Sequence, residues 1–387
     1  MSRVAKICLT AWLLGLFCDI APALAQAPAQ APALALSPQG AETMVFRWKT
    51  DACDKDDIPD GPARAFRDAQ GQVHLFAPHT VNRALVGPSL EAVKPDCRVV
   101  YKGGERDDPA AFDDRAWLTA FHTEDGVTVH ALIHNEFQGH RRKALCPSGV
   151  YMQCWNNSVT EALSTDGGRS FHRVGGPVAT LPWRYRGDLG HHAGYFNPSN
   201  IITKDGYLYT LVFAVGMEDQ KGGACLIRTN DIGNTRAWRA WDGNDFTVAF
   251  ADPYHDDNFT PAKHVCQPVG KGTLEAPVSS VVLHRPSGLY VATMAASRPE
   301  GDGVYIATSP DLVHWSKPAL AMSLPISGKQ GCGAAAYNYP SLLDPTSPSR
   351  NFESVGDKAW LYLTRFNVQD CKLVMDRDLV RIPVAIR

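Results

Sequence analysis

No long segment of the 387-residue chain places apolar residues at helical spacing, which excludes a helical architecture. A Gly-rich phosphate loop, an H-E-x-x-H helix and a G-x-S-x-G elbow are also missing, so nucleotide-phosphate, zincin and α/β-hydrolase chemistry have no foothold. The formal net charge is only −2 and no basic stripe occurs, which removes the electrostatic footprint of a nucleic-acid or anionic-membrane partner. No C-x-x-C pair occurs and no nearby histidines complete a zinc pattern, so no metal site is expected. No cofactor is expected either, and the sequence leaves a structural calcium open.

What is present begins with an export pattern. Arg3 and Lys6 precede an apolar run from Ile7 to Ile20, and Ala23-Leu24-Ala25 offers a small-x-small cleavage site, so residues 1–25 read as a signal peptide. Asp19 interrupts the run and leaves it short of the roughly 20 residues a membrane span requires. The bulky Phe17 before Cys18 is unlike a lipidation site. A secreted or periplasmic product follows, with no membrane partner after cleavage. Residues 26–43 are Ala/Pro-rich and read as a flexible leader, and residues 44–387 as a single domain. The 44% hydrophobic fraction suffices for a substantial core. Eight cysteines remain after cleavage, an even count suited to disulfides in an oxidising compartment. Spacing does not fix their connectivity. Consecutive pairing (Cys53 to Cys97, Cys146 to Cys154, Cys225 to Cys266, Cys332 to Cys371) would tie neighbouring segments.

The domain repeats one pattern: a short β-type run, a turn with Gly or Asp-Gly, and a second β-type run. Five such hairpins stand out, over 63–77, 116–134, 200–215, 278–294 and 341–366. Their spacing is that of four-stranded units or somewhat more, so the fold class expected is an all-β, five-bladed β-propeller. Between them lie segments in which Ser and Asp precede an aromatic. Ser164 to Phe171 reads STDGGRSF and Ser309 to Trp315 reads SPDLVHW, and Asn230-Asp231 to Trp238 is a looser third copy. Asp and Ser cap the turn backbone, glycines take positive φ, and the aromatic packs between sheets, which suits outer hairpins.

STDGGRSF resembles the Asp-box carried by sialidases and other propellers, and SPDLVHW resembles an element of five-bladed glycosidases such as families 43 and 32. Both are marks of fold, and what they imply about activity is indirect. The resemblance to family 43 implies an acidic residue at the first inner strand, an Asp at the third and a Glu at the fourth. Asp60 then falls at the base or nucleophile and Glu275, in Glu275-Ala276-Pro277, at the general acid. The chain departs from that pattern at Asn197-Pro198, where Asp-Pro is expected. An amide cannot tune an acid by charge, so either another carboxylate such as Glu136 has taken over or the analogy fails.

In a propeller, residues at the mouths of the inner strands converge on one channel. That rule adds Arg64, the His134-Asn135-Glu136 run after an apolar stretch, His192, Asn197 and Asn338 as substrate-binding candidates, with Trp155 as a ring on which a sugar face can stack. The run 134–140 reads as a loop. Paired carboxylates across one glycosidic bond define the chemistry expected, with an oligo- or polysaccharide substrate. The competing reading is a non-catalytic carbohydrate-binding or scaffolding propeller. A sialidase would need an arginine cluster, for which Arg64, Arg115 and Arg365 are the only trio.

Overall fold

The computed structural model describes residues 34–328, 331–333 and 335–387, so the signal peptide and the first part of the leader lie outside the described residues. Alternating apolar side chains and short polar turns produce five successive antiparallel groups. Two N-terminal strands, β1 (Leu36–Pro38) and β2 (Thr43–Phe46), precede the first group. That group holds β3 (Arg64–Arg67), β4 (Val73–Phe76), β5 (Val81–Gly87) and β6 (Lys94–Lys102). The second holds β7 (Arg115–His122), β8 (Val129–Gln138), β9 (Trp155–Ser164) and β10 (His172–Ala179). The third begins with an inner strand in two pieces, β11 (Ala193–Phe196) and β12 (Ile202–Lys204), and continues through β13 (Tyr207–Val215), β14 (Gly223–Thr229), β15 (Arg239–Trp241) and β16 (Phe246–Ala249). The fourth is β17 (Ser280–His284), β18 (Leu289–Arg298), β19 (Gly301–Ser309) and β20 (Ala319–Ser323). The fifth is β21 (Ala335–Leu343), β23 (Lys358–Gln369) and β24 (Lys372–Ile386), and a two-residue strand, β22 (Ser354–Val355), pairs with β17.

Each group is a blade, because its two faces belong to two different cores. In the first blade Phe66 and Phe76 pack against the second blade, while Ala65 and Leu75 point the other way and pack against the fifth. Further cores join the second blade to the third, the third to the fourth and the fourth to the fifth. The period-2 alternation of each strand therefore feeds two interfaces, and the interfaces close a ring. Closure is completed by β1 and β2, which pair antiparallel with β24 and supply the fifth blade's outer edge from the opposite end of the chain. The structured domain thus begins before the expected boundary at residue 44, since Leu34 and Leu36 are already buried in a core.

All five expected hairpins form, the first four with their turns where the Gly and Asp-Gly signals stand and the fifth across a longer connection that holds β22. All three Ser/Asp segments occupy turns between a blade's third and fourth strands. In the first, Asp166 Oδ1 accepts from the backbone N–H groups of Arg169 and Ser170, and Ser164 Oγ accepts from Gly168 N–H. In the second, Asp311 Oδ1 accepts from Val313 and His314 N–H, and Trp315 Nε1 donates to Leu312 O. The cysteines pair consecutively: 53–97, 146–154, 225–266 and 332–371. Among the described residues no helix is long and apolar enough to cross a membrane.

One buried histidine makes the fold acid-sensitive. His122, at the end of β7, is 6% exposed, and burial lowers its pKa from near 6.5 to about 4. The native state therefore favours the neutral ring. Its contribution is complete above pH 6.5 and is lost as pH falls toward 4, a change of about 3 kcal/mol at 1.36 kcal/mol per unit. Urea unfolding at pH 7 and pH 4 should show this loss, and His122→Gln should abolish that part of it.

Candidate active site

The axis is occupied at its centre by Arg64, whose side chain is buried. Nε donates to Thr119 O in the second blade at 2.8 Å, and Nη1 donates to Ala63 O at 3.1 Å and to Ser341 Oγ in the fifth at 3.0 Å. Nη2 donates to Pro198 O in the third at 3.4 Å and to Ser279 O in the fourth at 2.5 Å. All five guanidinium N–H groups are thus used, and they connect all five blades. Burial lowers the pKa of Arg64 to about 9, so it stays a cation at neutral pH. The expected substrate-binding role finds no free donor here, because the inner-strand carbonyls have taken them all.

Beside this plug, Asp60 and Glu136 enter one pit from different blades. Asp60 precedes the first inner strand and forms an ion pair with Arg377 of β24. Its Oδ1 also accepts from the Tyr339 hydroxyl at 3.3 Å. Tyr339 adopts positive φ (57°), a backbone state costly for a bulky residue, at the register shift between Asn338 and Ser341 within β21, where its hydroxyl reaches Asp60. Burial raises the Asp60 pKa, and the charge of Glu136 adds to the rise. Arg377, His79 and the Tyr339 hydrogen bond act the other way, and burial prevails. The side chain is 21% exposed, so it remains reachable from solvent.

Glu136 is delivered by β8, not by the expected loop: the strand continues to Gln138. Period-2 alternation places His134, Glu136 and Gln138 on one face and Asn135, which is buried, on the other. His134 Nε2 lies 3.1 Å from Glu136 Oε1, while Gln138 Nε2 donates to Oε2 at 2.7 Å and the Tyr151 hydroxyl to the same oxygen at 3.2 Å. His134 Nδ1 accepts from the backbone N–H of Asn197 at 3.0 Å, and the Asn157 side-chain amide nitrogen lies 3.1 Å from Nδ1 and 2.8 Å from Nε2, so the ring is held from three sides. Asn197 itself sits at φ 49°, where asparagine is tolerated, and this kink with Pro198 divides the third blade's inner strand in two. Asn197 therefore acts on the site through its backbone.

Tyr151 comes from the β8–β9 loop, which the Cys146–Cys154 disulfide closes. Burial and the neighbouring Glu136 raise the pKa of its hydroxyl, so it remains a donor. Its ring stacks on Trp155 (centroids 4.9 Å apart, 12° between planes), and the other neighbour stacked on Trp155 is His192 at 5.3 Å. Phe196 meets this group edge-on. Burial lowers the pKa of His192. Asn338 turns inward on Ser327 Oγ, at 2.7 Å, and on Tyr339 N–H.

Asp60, Glu136, His134, Asn197, Trp155 and His192 therefore converge, whereas Glu275 does not. Glu275 is exposed in the segment before β17, lines a separate depression, and touches neither Asp60 nor Glu136. His79, Trp117, Tyr151 and Arg377 belong to the pit without having been singled out from sequence. His79 packs edge-on against Trp117, which packs in the same way against His134. His79 follows the second strand of its blade, as His134 and Glu136 end theirs, so attention to second-strand ends would have found it. Nothing in Met375-Asp376-Arg377-Asp378 distinguishes Arg377 from a solvated charge run. Among the described residues no group of three or more His, Cys, Asp or Glu is arranged to hold a metal.

No family model matches the chain, and no curated protein matches it in sequence. Solved structures do resemble it. Zg3597, a family 117 glycoside hydrolase of the marine bacterium Zobellia galactanivorans, aligns over 90% of this chain and 91% of its own at 11% identity, with a TM-score of 0.53. The fold is that of a β-propeller. The α-L-arabinanase of Cellvibrio cellulosa aligns over 83% of this chain and 90% of its own at 13% identity (TM-score 0.46). The family 32 β-fructofuranosidase BmSUC1 of Bombyx mori aligns over 83% of this chain and 58% of its own at 11% identity (TM-score 0.42). At these identities the likeness is one of fold, and activity must be argued from the pit.

Proposed function

We propose that the chain is an exported glycoside hydrolase of the five-bladed propeller type, acting on an oligo- or polysaccharide with Asp60 and Glu136 as its paired carboxylates. The observation that carries this reading is their approach to one another from different blades, around Tyr151 and Tyr339, with unlike surroundings. A raised pKa suits Asp60 to give a proton to the leaving-group oxygen. Glu136, steadied by His134, Gln138 and Tyr151, is placed as the base or nucleophile. These roles reverse the one that the family resemblance implies for Asp60, and they leave Glu275 outside the reacting pair. The Trp155 ring, with Tyr151 and His192, offers an aromatic wall for a sugar face. The export pattern and four disulfides support a secreted or periplasmic setting.

One observation favours the second reading, a non-catalytic carbohydrate-binding propeller. The Arg377 contact works against the effect of burial and favours the Asp60 anion, and an acid held as its anion would have no proton to give. A glycan panel decides between the two. Incubation of the purified protein with α- and β-linked oligosaccharides, followed by mass spectrometry of the products, should reveal shortened chains. Binding by calorimetry with no new product would leave the binding module standing and remove the hydrolase.

A further inference from the structure

Between the third blade and the 267–275 segment that leads to the fourth lies an open depression of about 540 Å³, within the usual size range of small-molecule sites. It joins the pit through one strand pair. Phe196, whose ring meets Trp155 and His192, is in register with Phe213, which lines the depression. Its walls are fastened before any ligand arrives. The buried Gln220 accepts from the Tyr195 hydroxyl at 2.5 Å and from Cys266 N–H at 2.9 Å, and it donates to Lys221 O at 2.8 Å. The Cys225–Cys266 disulfide and the Val269 N–H bond to Ala224 O tie the 267–275 segment to β14. A preorganised wall spends little binding energy on ordering.

Three charged side chains line this depression: Lys221, Lys271 and Glu275. All three are exposed, and none forms an ion pair among the described residues. We propose that the depression is a subsite for an anionic sugar unit of the substrate chain, a uronate or a sulfate ester, held by Lys221 and Lys271. This rests on the hydrolase reading for the word substrate, and the binding itself can be measured without turnover. Glu275 opposes the two lysines, so its removal should strengthen binding.

The test is calorimetry on the Glu136→Gln protein with trisaccharides of galacturonate, glucuronate and mannuronate, a sulfated galacto-oligosaccharide, and neutral galactotriose. At least one anionic probe should bind more tightly than the neutral one, and its identity separates carboxylate from sulfate. Lys221→Gln and Lys271→Gln should each weaken that probe about fivefold, and added salt should weaken it further. Glu275→Gln should tighten it. Equal affinity for neutral and anionic probes, no binding of any anionic probe, or indifference to both lysine substitutions would overturn the subsite. Lysine-dependent binding in a wild-type protein that cleaves nothing would keep the subsite and sink the hydrolase. Cleavage with no lysine dependence would do the opposite.

Discussion

Asp60→Asn and Glu136→Gln are each expected to lower turnover of a cleavable glycoside by about 1,000-fold, the scale of losing a positioned acid or base. Both changes keep the side chain's shape and remove its proton chemistry. The two should differ in one respect. If Asp60 protonates the leaving oxygen, Asp60→Asn should hurt a natural oligosaccharide far more than an aryl glycoside whose leaving group departs unassisted. Glu136→Gln should slow both alike, since a base or nucleophile serves every substrate. Asp60→Asn also deprives Arg377 of its charged partner, so near-ultraviolet circular dichroism must first show an intact fold. Retention of a tenth of wild-type turnover in both variants would remove the assignment.

Arg64→Met is expected to cost roughly 5 kcal/mol of stability, the scale of stripping the charged partner from a buried polar network. The change removes five hydrogen bonds from a charged donor, and it leaves four backbone carbonyls and a hydroxyl facing one another at the axis. Denaturant titration should show the loss, or the variant should fail to accumulate in soluble form. Arg64→Lys has three donors on a narrower head and should fall between. A methionine variant within about 1 kcal/mol of wild type would show that the blade interfaces hold the ring without the axial arginine.

The match between reading and structure differs by length scale. The hairpins at 63–77, 116–134, 200–215 and 278–294 were legible because strand alternation and turn chemistry are settled within a dozen residues. The Ser/Asp turns at Asp166 and Asp311 were legible for the same reason, since each carboxylate caps backbone only a few residues away. Asn197 was legible only in part. Its oddity could be seen against the family pattern, but that it works through a backbone N–H on His134 depends on a positive φ and a neighbour in another blade. The run 134–140 reads as a loop in sequence because its polar side chains end an apolar stretch, yet its first five residues complete β8. On a strand facing an axial pit, polarity marks the site and not the end of the strand.

The amino-acid sequence by itself determined the strands, their turns, the propeller architecture and the acidic, aromatic character of the funnel mouth, because these follow from local periodicity and side-chain type. Only the tertiary structure decided which residues meet. Asp60, Glu136, Tyr339 and Arg377 lie far apart in the chain and share a pit because β1 and β2 close the ring against β24. The same closure surrounds Arg64 with carbonyls and leaves Glu275 in a neighbouring depression, outcomes that depend on distances no linear pattern carries.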